Sequence, residues 1–99
     1  MSNIEDVWSD WLDFNKETIL KIPQYPGVYM LHASMKILFI EGSENMQVEI
    51  QEKGKDQCIS KATRIRYIET KSYEQITNNL IKDYQERHEG KLPHCMKTK

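Results

Sequence analysis

At 99 residues, 38% of them hydrophobic and 29% charged, the chain is long enough for one hydrophobic core and too short for two. A net charge of -1 excludes a general cationic attraction for polyanions. The longest apolar run, Met35 to Ile40, is broken by Lys36, far short of the roughly 20 apolar residues that span a membrane.

The acidic start, Met1 to Asp6, has neither the basic head nor the apolar centre of a secretory signal, which predicts a cytoplasmic location. In that compartment Cys58 and Cys95 are expected as reduced thiols, buried or idle. Charge is uneven along the chain: Glu5, Asp6, Asp10, Asp13 and Glu17 face Lys16 alone in the first twenty residues, while lysines and arginines gather in the last forty. Such a gradient more often reflects solvated helix faces that attract each other than a binding surface.

Ile4, Val7, Trp8, Trp11 and Leu12 follow the spacing of one helix face, and Ser2 with Glu5 forms a capping box, which predicts an N-terminal amphipathic helix within residues 1–21 that packs on the domain. Pro23, Pro26 and Gly27 then make a turn. Val28 to Leu31 and Lys36 to Ile40 read as the two arms of a β-hairpin. Glu44 to Lys53 reads as a short helix with Met46 and Ile50 on one face and Gly54 as its stop.

Lys55 to Lys61 is polar and reads as loop, and Thr63 to Thr70 alternates as a half-exposed strand. Ser72 and Gln75 form a second capping box before Tyr73, Ile76, Leu80, Ile81 and Tyr84, the apolar face of a helix that stops near Gly90. Residues 93–99 read as a tail with frayed end residues. The expected fold is therefore α+β: a small three-stranded, mostly antiparallel sheet flanked by helices over residues 22–92, with the extra helix before it.

Four strings in this order carry a resemblance. They are Ile22-Pro23-Gln24-Tyr25-Pro26-Gly27-Val28-Tyr29, then Ile37-Leu38-Phe39-Ile40, then Ser43-Glu44-Asn45-Met46, and finally Asn79-Leu80-Ile81-Lys82-Asp83-Tyr84. Together they resemble the signature of the GIY-YIG nuclease domain over residues 22–91; the tryptophan segment lies outside it. In active members of that family, the resemblance implies, strand tyrosines help activate the attacking water, a helix arginine stabilises the phosphate and a glutamate holds one divalent metal. Phosphodiester hydrolysis needs both an activated nucleophile and positive charge at the phosphate.

Carried over position by position, only Tyr29 is kept. Phe39 stands for the second tyrosine, Glu41 for the glycine after it unless a bulge restores Gly42, Glu49 (or Ile50 one register away) for the arginine, and Thr77 for the metal-binding glutamate. The resemblance thus implies a catalytically inactive pseudo-nuclease serving as a binding or interaction module with no cofactor. The alternative is a divergent metal-dependent DNA endonuclease using Tyr29 with Mg or Mn.

A retained strand tyrosine is also explained by core packing. Arg64, Arg66 and Lys71, beside Tyr67 and Tyr73, offer a basic surface with stacking rings for single-stranded nucleic acid, although solvated strand and helix ends explain them equally well. The partner is thereby left open between nucleic acid and protein. His88, His94 and Cys95, with Cys58 or His32, lack specific zinc-site spacing, so no metal site is expected. Glu41, Glu44, Glu49 and Glu52 are expected along the former cleft, where they would oppose a polyanion.

Overall fold

A computed structural model describes residues 8–96. In chain order it contains β1 (Leu12–Asp13), α1 (Lys16–Lys21), β2 (Gly27–Ala33), β3 (Lys36–Ser43), α2 (Met46–Lys53), β4 (Arg64–Glu69) and α3 (Tyr73–Arg87), with 3-10 turns at Ile59–Lys61 and His94–Met96. The strands form one antiparallel sheet in the order β1-β4-β2-β3. The α+β class holds, but the sheet has four strands where three were expected.

Alternation along β2 divides the interior into two layers. Tyr29 and Leu31 point into a cluster with Phe39, Met46, Ile50, Ile59 and Ile65, which α1 and α2 cover. Val28, with Ile40 and Ile68, points the opposite way, under Tyr73, Ile76, Leu80 and Tyr84 of α3. The expected apolar face of the long helix therefore meets the sheet.

The fourth strand comes from the segment expected to be helical. Residues 1–7 of that helix, with its capping box, lie outside the described residues, and Trp8 to Trp11 are not helical. Ser9 donates its N–H to the Tyr67 carbonyl at 2.8 Å, the Tyr67 N–H returns a bond to Ser9 Oγ at 3.0 Å, and Leu12 and Asp13 pair with Ile65 and Arg64. This pairing covers the β4 edge, whose backbone groups would otherwise stand open to pairing with another chain. The tryptophans still pack on the domain, from an extended backbone.

Helix starts follow side-chain chemistry. Asn15 and Asn45 accept from the N–H groups of Thr18 and Val48 at 2.9 and 3.2 Å, capping α1 and α2. The Ser72 side chain, expected to cap α3, makes no such bond; its N–H is held instead by Thr70 Oγ1 at 3.0 Å. Between the two short helices, Gln47 Nε2 donates to the carbonyls of Leu20 and Ile22 at 2.9 and 3.0 Å.

The cysteines depart from expectation most clearly. Cys58 and Cys95 form a disulfide across a separation of 37 residues, with Cα atoms 5.8 Å apart. It fastens the C-terminal segment to the loop before β4, and Pro93 beside it is fully buried, so this segment packs on the domain as far as Met96, while the end residues 97–99 expected to fray lie outside the described residues. Structural disulfides persist in oxidising surroundings, which removes the reduced-thiol part of the cytoplasmic expectation. No helix among the described residues is long and apolar enough to cross a membrane.

Candidate functional site

Tyr29 and Glu41 are direct partners across β2 and β3, so their side chains leave the sheet on the same face. Asn45 starts α2 above that face. Met46 and Ile50 bury themselves in the core, and this fixes the helix so that Glu49 reaches over the tyrosine. The fully buried Tyr29 donates its hydroxyl hydrogen to Glu49 Oε2 at 3.0 Å.

Burial, then the Glu49 charge and the bond to it, then Glu41, hold the Tyr29 proton far above the usual phenol range. The group is a donor and stays one. Partial burial and the Glu49 carboxylate push the Glu41 carboxyl up, with Lys53 pulling the other way. Two carboxylates, one held hydroxyl and one amine therefore meet at this edge of the sheet.

Lys53 escaped the sequence reading although its position four residues after Glu49 on one helix face announces it. Its Nζ lies 5.6 Å from the centroid of the Phe39 ring, and that ring lies 6.1 Å from Tyr29. Phe39 is buried in the core and supplies no polar group. The β2–β3 register runs without interruption from Leu31–Phe39 to Gly27–Ser43, the irregularity falling at Leu31/His32, so no bulge exchanges Glu41 for Gly42. Ile50, the other register for the arginine, is fully buried.

Thr77 comes from the opposite layer. It lines a shallow hollow of 320 Å³ with Glu41, Gly42, Tyr73, Glu74 and Asn78, and Glu41 belongs to both groups. A Cβ added at Gly42 would stand 2.5 Å from Thr77 Oγ1, so glycine is what lets α3 approach β3 here. The buried Thr77 hydroxyl has no hydrogen-bond partner among the described residues. Burial, followed by the charges of Glu44 and Glu74, raises Tyr73 as well, which makes this rim a further place that disfavours added negative charge.

The basic residues singled out from sequence are engaged in different ways. Arg64 Nε pairs with Asp13 at 3.3 Å, both side chains being well exposed. The Arg66 guanidinium lies over Trp8 and Trp11, 5.0 and 5.3 Å from the two ring centroids, a placement that gains cation–π attraction. Lys71 is exposed in the β4–α3 connection. The N-terminal segment thus occupies the two arginines of β4.

The zinc alternative also changes, since sulfurs joined in a disulfide cannot serve as thiolate ligands. His88 is committed locally: its ring stacks on Tyr84 with centroids 3.8 Å apart, and Nδ1 lies 2.8 Å from the Tyr84 carbonyl oxygen. Searches against protein-family models, curated proteins and solved structures found no match to this chain.

Proposed function

We propose that this chain is a catalytically inactive GIY-YIG-like domain that acts as an interaction module. The observation that carries the reading is the Tyr29–Glu49 hydrogen bond at 3.0 Å. The tyrosine that would help activate water spends its hydroxyl on a carboxylate, and that carboxylate stands where the family resemblance calls for a cation. A phosphodiester brought within about 4 Å of one carboxylate meets roughly 4 kcal/mol of repulsion at the effective dielectric of a protein surface. Glu41 adds to this, and Lys53 offsets only part of it.

Between the two partner classes, the placement of the Arg66 guanidinium against the tryptophans favours a partner other than nucleic acid, while the exposed Arg64–Asp13 pair is weak and decides nothing. The test incubates the oxidised protein with branched, nicked and single-stranded DNA and Mg²⁺ or Mn²⁺, beside Tyr29→Phe. The expected result is no cleavage that depends on Tyr29; cleavage by the native protein that Tyr29→Phe abolishes would establish the divergent nuclease instead. A salt titration of binding to the same DNAs separates partner classes, because a phosphate-driven contact weakens steeply as salt rises.

A further inference from the structure

We propose that the cavity between the β2–β3 turn, the C-terminal half of α3 and the segment after it binds a small amphipathic organic anion, with its apolar chain inside and its carboxylate at the rim. This inference stands apart from the loss of catalysis, since it uses none of Tyr29, Glu41, Glu49, Lys53 and Thr77.

The cavity measures 670 Å³, within the roughly 300–1,000 Å³ typical of small-ligand pockets. Its interior is built by Met30, Ile37, Ile40, Leu80, Tyr84 and Leu92, and its charged rim by Lys36, Arg87 and Lys91 against Asp83 alone. Asp83 is itself 3.4 Å from Arg87, with both side chains more than half exposed, so the pair is weak and the rim keeps an excess of positive charge. An apolar interior beneath a cationic rim complements a molecule with a hydrocarbon body and an acidic head.

The negative end of the α3 dipole opposes an anion here by roughly half a charge, less than the three rim cations supply. The Tyr84 carbonyl is met by His88 Nδ1 at 2.8 Å and the Gln85 carbonyl by the Gly90 N–H at 2.7 Å, so these acceptors are not turned toward a cation in the cavity.

Backbone conformation points to the same place. Among the described residues, the non-glycine positions with left-handed φ are Ser34 at 50°, Met35 at 65° and Glu89 at 58°. The first two line the cavity and the third lies between His88 and Lys91, which also line it. A two-residue hairpin turn of this kind favours Asn-Gly, yet here it carries a methionine that is 91% exposed at the cavity mouth. Conformations disfavoured by side chains cluster where a binding surface requires them, and a flexible thioether suits contact with a hydrocarbon chain.

The experiment titrates the oxidised full chain with sodium decanoate while recording amide chemical shifts, beside decyltrimethylammonium and acetate. Decanoate should saturate below about 1 mM, shift residues 34–40 and 80–94, and bind at least about tenfold more tightly than either control. The exposed charge-reversal pair Lys36→Glu with Lys91→Glu should weaken decanoate by roughly tenfold or more. Ser34→Asn with Met35→Gly should raise the melting temperature and yet weaken decanoate, a split that a purely structural role for the turn would not produce. Equal binding of the cationic control, absence of saturation, shifts centred elsewhere, or native affinity in either variant would overturn the proposal.

Discussion

Replacing both Cys58 and Cys95 with serine should lower the unfolding free energy by about 4 kcal/mol, read from the urea midpoint of the variant against the oxidised native chain. The size follows from the 37-residue separation: in the chain-entropy treatment, closing a loop of that length removes about 4 kcal/mol of conformational freedom from the unfolded ensemble. For a domain of 99 residues, whose whole stability is expected at roughly 5–15 kcal/mol, this is a large share. Reducing agent should act on the native chain in the same direction and leave the serine variant unchanged. Equal midpoints for the oxidised and reduced native chain would show that the bridge contributes little.

The second large effect concerns Gly27, where β2 begins. A Cβ there would collide with the Ile68 carbonyl and the Met46 side chain. Methionine can move aside, but the carbonyl belongs to the β2–β4 ladder, in which Val28 faces Ile68. Gly27→Ala should therefore cost about 3 kcal/mol, at the upper end of ordinary overpacking, and its hydrogen-exchange protection should fall first in β4 and at the start of β2. A melting temperature within a degree or so of the native chain would contradict the close approach.

These two sites illustrate what was legible in the sequence. The hairpin, α2, β4 and α3 announce themselves through alternation or helical spacing of apolar residues. Gly27 stands at a turn signal that any reader would mark, while its tight contact with Ile68 is visible only in three dimensions. The cysteine pair was misread because 37 residues of separation say nothing about proximity, and the expected compartment decided the oxidation state.

The N-terminal segment failed for a different reason. Trp8, Trp11 and Leu12 fit a helical period, but such a short stretch obeys whichever partner bonds its backbone, and the open edge of β4 offers hydrogen bonds to Ser9, Leu12 and Asp13. The same event brings Asp13 to Arg64 and the tryptophan rings to Arg66. Of the candidate site, Tyr29 with Glu49 could be anticipated by residue type and Lys53 by its helical spacing from Glu49, whereas the hollow linking Glu41 to Thr77 required the packing of α2 and α3 on opposite faces. The basic cavity was not legible at all, because its third wall is the segment read as a tail.

The carboxylates around Tyr29 also set a pH dependence. Glu41 binds its proton more tightly folded than unfolded, so in the interval above the ordinary carboxylate value the folded chain carries more protons, and stability falls as pH rises through the raised folded value. Glu49→Gln removes the neighbouring charge and should narrow that interval.

The most direct measurement is a carbon-detected NMR titration of the side-chain carboxyl of Glu41 in the native chain and in Glu49→Gln. A Glu41 value above the ordinary range that moves down in the variant is the predicted result. An ordinary value in both chains would contradict the crowding of negative charge on which the inactive reading depends.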